Sequence, residues 1–229
     1  GVRRVFFGLD PRAEVRAEQV TTTRDGIRFE LCLGEKRYPV RMEVAGRHNV
    51  QNALAAAAAA NALEVPGELI AQGLEDFRPS PGRMELVEIE NDILILEDSY
   101  NANPLSVRAA LATLDELGGE GRRVAVLGDM LELGKNTGEL HREVGELAGH
   151  RVDLLVLLGE QAGEVARGAR QSGLTEEFIV VVASHEEAIS VLRERLQSGD
   201  RVLIKGSRGM KMEKISSALR NKVGAEGQG

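Results

Sequence analysis

Aromatic side chains are scarce in this chain: 3% of 229 residues, with no tryptophan. Platforms that stack nucleobases need several exposed rings, so single-strand binding is a poor fit. An excess of positive charge is missing too. The 29 Lys and Arg against 36 Asp and Glu leave a net charge of -7. With no basic stripe, nucleic acid is not an expected partner. The only cysteine, Cys32, excludes an internal disulfide and any cysteine-based zinc cluster within the chain. No apolar run reaches membrane-spanning length, and neither membrane insertion nor a signal peptide is expected. A reducing cytoplasm is the simplest home. What is present, 42% hydrophobic and 28% charged residues, suits a globular protein of one large domain or two smaller ones.

Two regimes follow one another along the chain. Residues 2–44 alternate short strand-like runs with turn signals. Asp25-Gly26 and Gly34-Glu35 bound a run over 27–33 and another over 37–44, which predicts a hairpin. Residues 2–8 already read as a strand with nothing before them. The chain therefore looks cut from something longer, although a removed tag or initiator Met would give the same appearance. From Gly46 the pattern turns helical. Ala55 to Ala60 are unbroken alanine, the best helix former and one that allows close packing. Pro66 opens a second helix that ends near Phe77.

Arg78-Pro79-Ser80-Pro81-Gly82-Arg83 then marks a boundary, because two prolines and a glycine fall within four residues. The expected organisation is one domain over 1–78 and another over 79–229, with a hinge at about 79–83. Beyond it apolar strands are predicted over 85–89, 93–97, 123–127, 153–158, 178–182 and 201–204. Helical patterns at 105–117, 138–149, 161–171, 185–197 and 211–220 fill the gaps. This alternation predicts an α/β fold with a Rossmann-like, doubly wound and mostly parallel sheet.

In such a sheet the loops that leave the strands share one edge, and ligands bind there. The richest of them is Asp98-Ser99-Tyr100-Asn101-Ala102-Asn103-Pro104. So many polar groups at one strand end are costly unless they cap a helix or hold a ligand. Lys205-Gly206-Ser207-Arg208-Gly209-Met210-Lys211 puts three cations and two glycines at another such turn. It suits a carboxylate or phosphate, or else a helix cap with exposed basic residues. Asn49 and Asn52 would share a helix face, and their carboxamides match the donor–acceptor edge of adenine. The plainer reading makes Asn49 an N-cap. Arg83, on the hinge, could reach a phosphate or simply be a solvated linker arginine. Gly128–Lys135 is not a P-loop: five residues separate its glycines, Asn136 follows the lysine, and Asp129 and Glu132 would repel phosphate. The four histidines give no metal signature; His141 has carboxylate neighbours and could be functional, but the plainer reading is a surface helical residue. Neither a Ser–His–Asp pattern nor a reactive cysteine supports covalent catalysis.

The order of these segments is more informative than any one of them. Gly46-Arg-His48-Asn49-Val-Gln-Asn52, Pro81-Gly-Arg83-Met-Glu, Asp98 to Pro104, Gly128-Asp-Met-Leu-Glu-Leu-Gly134 and Lys205-Gly-Ser207-Arg208-Gly-Met-Lys-Met-Glu213 together resemble the Mur ligases. The resemblance covers essentially the whole chain and points to the branch that adds a dipeptide rather than a single amino acid. It implies the last part of a central ATPase domain followed by a complete C-terminal Rossmann-like domain. It also implies an ATP- and Mg²⁺-dependent amide ligase joining D-Ala-D-Ala to UDP-MurNAc-tripeptide through an acyl phosphate, a step in peptidoglycan precursor synthesis.

By that resemblance, His48, Asn49 and Asn52 meet the adenine side of the nucleotide, Arg83 its terminal phosphate, and Asp98 with Tyr100 the ribose region. Arg83 and Asp98 are the catalytic candidates. Asn101, Asn103, Lys205, Ser207 and Arg208 are candidates for the acceptor side. The hinge is expected to let the C-terminal domain rotate, bringing Arg83 and Asp98 to the nucleotide; scattering profiles of the full-length protein unchanged by nucleotide and substrates would argue against it. The family's P-loop, its metal-binding Glu and His and its carbamylated lysine would lie before Gly1. This polypeptide alone is therefore expected not to turn over ATP, and substrate-dependent phosphate release by it would overturn that expectation. A non-catalytic Rossmann-like binding module and a sister ligase with another acceptor stay open, as does the oligomeric state.

Overall fold

The computed structural model describes residues 4–221, which divide into two compact units at Pro79/Ser80. Residues 2 and 3 of the expected N-terminal strand lie outside the described residues. Of its described residues 4–8, only Phe7–Gly8 form a strand, β1.

In the first unit β1, β2 (Val15–Thr23), β3 (Gly26–Leu33) and β4 (Lys36–Met42) make one sheet in that order. β1 pairs parallel to β2, and β2, β3 and β4 are antiparallel neighbours. The Asp25-Gly26 turn has a steric basis. Gly26 sits at φ +119°, and a Cβ there would lie 2.0 Å from the Met42 carbonyl oxygen. Ile27, Phe29 and Leu31 are buried, two residues apart and so on one sheet face. The alanine run forms α1 (Arg47–Ala62), which buries Val50, Ala53, Leu54, Ala57 and Ala58. That is the spacing of one helical stripe, and it packs on β2 and β3. α2 (Gly67–Glu75) buries Ile70, Ala71 and Leu74 beside β4.

The second unit holds β5 (Glu85–Ile89), β6 (Ile93–Asp98), α3 (Pro104–Glu116), β7 (Arg123–Gly128), α4 (Thr137–Gly149) and β8 (Leu154–Leu158). It continues with α5 (Ala162–Gln171), β9 (Ile179–Val182), α6 (His185–Arg195), β10 (Arg201–Lys205) and α7 (Glu213–Arg220). The sheet order is β5-β6-β10-β7-β8-β9. Only β5 runs antiparallel, so the sheet is mostly parallel as expected.

Its inner strands β6, β10, β7 and β8 are buried on both faces, as a doubly covered sheet requires. Ile93, Ile95, Val124, Val126, Leu154, Val156, Val202 and Ile204 form one cluster with Leu192 of α6 and Ile215 of α7. The alternate residues Leu94, Leu96, Ala125, Leu127, Leu155, Leu157 and Leu203 are equally buried. By period-2 alternation they face the opposite side. α3 and α5 also pack on the sheet, and α4 packs on α5. No described helix is long and apolar enough to cross a membrane.

β6 and β10 each run one residue further than their apolar patterns suggest. The extra residues are Asp98 and Lys205, which are register partners on neighbouring parallel strands. Paired in this way, two charged residues remain inside the ladder.

Candidate functional site

The five parallel strands of the second unit end on one edge. β10 lies between β6 and β7, so the Lys205–Lys211 turn is flanked by the segments following Asp98 and Gly128. Five segments scattered in sequence thereby become neighbours.

At the centre is Lys205, 1% exposed. Its Nζ forms an ion pair with Asp98 Oδ2 and donates to the Asn101 carbonyl oxygen at 2.8 Å. Burial pushes the Lys205 ammonium below its ordinary pKa. The Asp98 carboxylate opposes that shift, and the nearby Arg83 charge adds to it. The other Asp98 oxygen, Oδ1, accepts from the Met84 N–H at 3.3 Å. Tyr100 N–H donates to the Gly82 carbonyl oxygen at 2.9 Å. Gly82 is at φ +71°, and a Cβ there would come within 2.9 Å of Ser99 Oγ. The segment carrying Arg83 is thus fixed to the end of β6 from both sides of that residue. Lys205 and Asp98 act on backbone at least as much as they face outward.

The next segments are held by buried side chains. Ser207, also buried, accepts from the Leu131 N–H at 2.8 Å and donates to the Ala102 carbonyl oxygen at 3.3 Å. Asp129 accepts from the backbone N–H groups of Glu160 (2.8 Å) and Gln161 (3.1 Å), at the start of α5. That carboxylate complements the positive end of the helix. It also requires glycine at 159, where a Cβ would lie 2.3 Å from Asp129 Oδ1.

His141 is not the surface residue expected. It is 1% exposed, with Nδ1 donating to the Thr137 carbonyl oxygen at 2.6 Å and Nε2 accepting from the Met130 N–H at 2.9 Å. These two partners fix the orientation of the ring. Of these anchors, Asp129 and His141 were missed as positioning groups. His141, Val144, Gly145 and Ala148 share one buried helical stripe, and that spacing was the available clue.

Outside this buried scaffold stand three exposed side chains. The Arg83 guanidinium carbon lies 3.8 Å from the Tyr100 ring centroid, and that of Arg208 lies 5.0 Å from it. Each such cation–π contact at an exposed site is worth about 0.5–1 kcal/mol. Asn103 is the N-cap of α3, in a capping box with Ser106 and with Pro104 at the first helical position, so its side chain is committed to the helix. Asn101 is exposed, although its Oδ1 accepts from the neighbouring Ala102 N–H. A separate cleft of 480 Å³ opens between the ends of β8 and β9, lined by Leu158, Glu160, Val182, His185 and Met210 among others.

In the first unit the N-cap of α1 is Gly46, at φ +90°, and not Asn49. The left-handed glycine starts the helix early, which places Asn49 within its first turn. Asn49 Nδ2 donates to the Ala45 carbonyl oxygen at 2.7 Å, and Asn52 Nδ2 donates to Asn49 Oδ1 at 3.1 Å. The two carboxamides share a face as the spacing predicts. This pairing fixes the orientation of both and leaves the Asn52 oxygen outside it. His48 is exposed on the same turn. Among the described residues no group of three or more His, Cys, Asp or Glu could hold a metal ion.

Comparison with known proteins covers both units. The family described as Mur ligase, glutamate ligase domain, matches residues 82–208, and the Mur ligase middle domain matches residues 1–60. The UDP-N-acetylmuramoyl-tripeptide–D-alanyl-D-alanine ligase of Bacillus subtilis (strain 168) is 30% identical over 214 residues, which is 93% of this chain and 46% of that protein. The Escherichia coli (strain K12) enzyme of the same name is 34% identical over 208 residues, 90% of this chain and 44% of its own length. A crystal structure of MurF from Acinetobacter baumannii superposes with a TM-score of 0.80 at 33% identity, covering 95% of this chain and 47% of that one. The chain therefore spans about half the length of the relatives it matches.

Proposed function

The chain belongs to the Mur ligase family, and on that premise we propose that it is part of an ATP-dependent ligase adding D-Ala-D-Ala to UDP-MurNAc-tripeptide. Within the second unit, one observation supports the reading most. The Asp98–Pro104, Gly128–Gly134 and Lys205–Lys211 segments, whose sequences point to the dipeptide-adding branch, stand side by side on one sheet edge. The curated relatives named for that reaction support the acceptor assignment. A solved relative from Thermotoga maritima, described as MurF in complex with ADP, supports the nucleotide.

In this reading the tripeptide carboxylate oxygen attacks the terminal phosphorus of ATP, and ADP departs. The free amine of the dipeptide then attacks the acyl carbon, loses a proton, and phosphate departs. Asn49 and Asn52, with their amides already oriented, are assigned to the adenine edge. Arg83 is assigned to the terminal phosphate, where a planar guanidinium binds bidentately. Asp98, Lys205 and Ser207 are assigned positioning roles, since their polar atoms bond to one another and to the backbone beside Arg83, Asn101 and Leu131. Catalysis is then mainly positioning and electrostatic stabilisation. Mg²⁺ would help neutralise phosphate charge, and no ligand for it is assigned within this chain. A cytoplasmic location goes with these substrates.

Titration calorimetry on the full-length gene product, loaded with nucleotide and UDP-MurNAc-tripeptide, tests the acceptor. D-Ala-D-Ala is expected to bind at least tenfold more tightly than glutamate. Tighter binding of glutamate would favour a sister ligase, and binding of neither would favour a non-catalytic module.

A further inference from the structure

Charge balance singles out the Tyr100 surface. Arg83 and Arg208 lie over the same ring, so their guanidinium carbons cannot be farther apart than the sum of 3.8 and 5.0 Å. Neither takes part in the ion pairs or side-chain hydrogen bonds seen among the described residues, and both are exposed. At the β6 end Asp98 is already paired with Lys205. Glu97 is paired with Arg220. Two like charges are thus gathered on one aromatic surface, with no carboxylate among the described residues within ion-pair distance of either.

The two arginines arrive there by independent routes. Arg83 is carried by the segment bonded to the end of β6 through Gly82 and Met84. Arg208 is carried by the turn that Ser207 anchors to Leu131 and Ala102. Tyr100 is where the two anchored segments meet.

We propose that Arg83, Tyr100 and Arg208 form a two-armed site for a single phosphoryl group, with Arg208 as a second catalytic cation rather than an acceptor-binding residue. This deepens the ligase reading and, for its place in the reaction, rests on it. A tetrahedral phosphate offers oxygens to two planar forks at once, which one carboxylate does less well. Charge on the transferred group is spread over its equatorial oxygens at the moment of transfer, so cations fixed in advance stabilise that state. The Tyr100 ring lies against both guanidiniums, 3.8 and 5.0 Å from its centroid, and so brings the two forks to one surface. The bond that forms is from the attacking carboxylate oxygen to phosphorus, and the one that breaks is from phosphorus to the ADP oxygen. The arginines exchange no proton and only hold charge.

Two measurements test the site. In the first, the 229-residue chain is titrated with inorganic phosphate, and separately with acetate, while the arginine Nε–Hε resonances are followed. Arg83 and Arg208 are expected to shift together with one dissociation constant, several-fold lower for phosphate than for acetate. Tyr100→Leu should separate or abolish the two responses, and Tyr100→Phe should keep them joint. A response from one arginine alone, or equal affinity for both anions, overturns the proposal.

In the second, Arg208→Ala and Arg208→Lys are compared in the full-length gene product, with thermal unfolding as the folding control. Arg208→Ala should lower kcat at least 100-fold with the dipeptide KM changed less than threefold, and Arg208→Lys should recover part of kcat. A raised dipeptide KM at unchanged kcat would place Arg208 on the acceptor carboxylate and overturn the proposal while leaving the ligase reading intact. An absence of ligase activity in the unaltered protein would instead sink the ligase reading, and the titration would still decide the anion site.

Discussion

Lys205→Met is expected to destabilise the second unit by about 3–5 kcal/mol, the usual loss when one partner of a buried ion pair is removed. The Lys205 side chain is 1% exposed and that of Asp98 is 12% exposed. Methionine fills a similar volume, so the loss would come from the carboxylate left without its cation and from the Asn101 carbonyl left without its donor. Adding Asp98→Asn to Lys205→Met should recover a good part of the loss, because a neutral amide is cheaper to leave there. Equal destabilisation by the single and double variants in denaturant unfolding would show that charge is not the cause.

The same lysine gives a pH signature of definite sign. Its pKa in the folded state is depressed below the ordinary 10.5. Between the folded value and 10.5 the unfolded chain binds more protons at this site, so stability rises with pH across that window. Below the folded value the full cost of burying the charge is present. The slope contributed by this group should vanish in Lys205→Met, as seen by comparing unfolding free energies over the alkaline range.

The second large effect is expected where α4 meets α5. A Cβ on Gly168 would lie 2.0 Å from the Arg142 carbonyl oxygen, and one on Gly145 would lie 2.0 Å from the Val165 carbonyl oxygen. These obstacles are backbone, so no side chain can swing away. Glycine-to-alanine normally gains up to about 1 kcal/mol inside a helix. Here forced separation of the two helices should outweigh that gain. Gly168→Ala is expected to cost about 2–3 kcal/mol net, a fall in Tm of roughly 4–12 °C. Gly163→Ala on the same helix, with nothing within 4 Å of its Cβ, is the control and should not lower Tm. Equal effects at the two positions in a calorimetric scan would contradict a packing origin.

The inner strands of the second unit are readable in the sequence because both faces are apolar and the helices between them are amphipathic. Their order is not. Nothing in residues 201–205 says that the last strand inserts between β6 and β7. That insertion turns Asp98 and Lys205 from two separate polar strand ends into register partners. For the same reason Lys205 and Ser207 read as ligand-facing cation and hydroxyl, although both are buried supports. The glycines at 145, 149 and 168 look like weak points within helical patterns until the second helix is placed against the first. The plainer of the two readings of Asn49, as a cap, fails because Gly46, at φ +90°, starts α1 one turn sooner than side-chain preferences suggest. The aromatic–arginine cluster was legible only in pieces, since Arg83, Tyr100 and Arg208 come from three separate segments.

The ligase we propose takes a dipeptide as its acceptor. Mass spectrometry of the nucleotide-linked product addresses it most directly, using the full-length gene product with ATP, Mg²⁺, UDP-MurNAc-tripeptide and an equimolar mixture of D-Ala-D-Ala, D-alanine and glutamate. The product is expected to gain the mass of one D-Ala-D-Ala less one water, with one phosphate released per bond formed. A gain matching a single amino acid, or no product at all, would contradict a dipeptide-adding ligase.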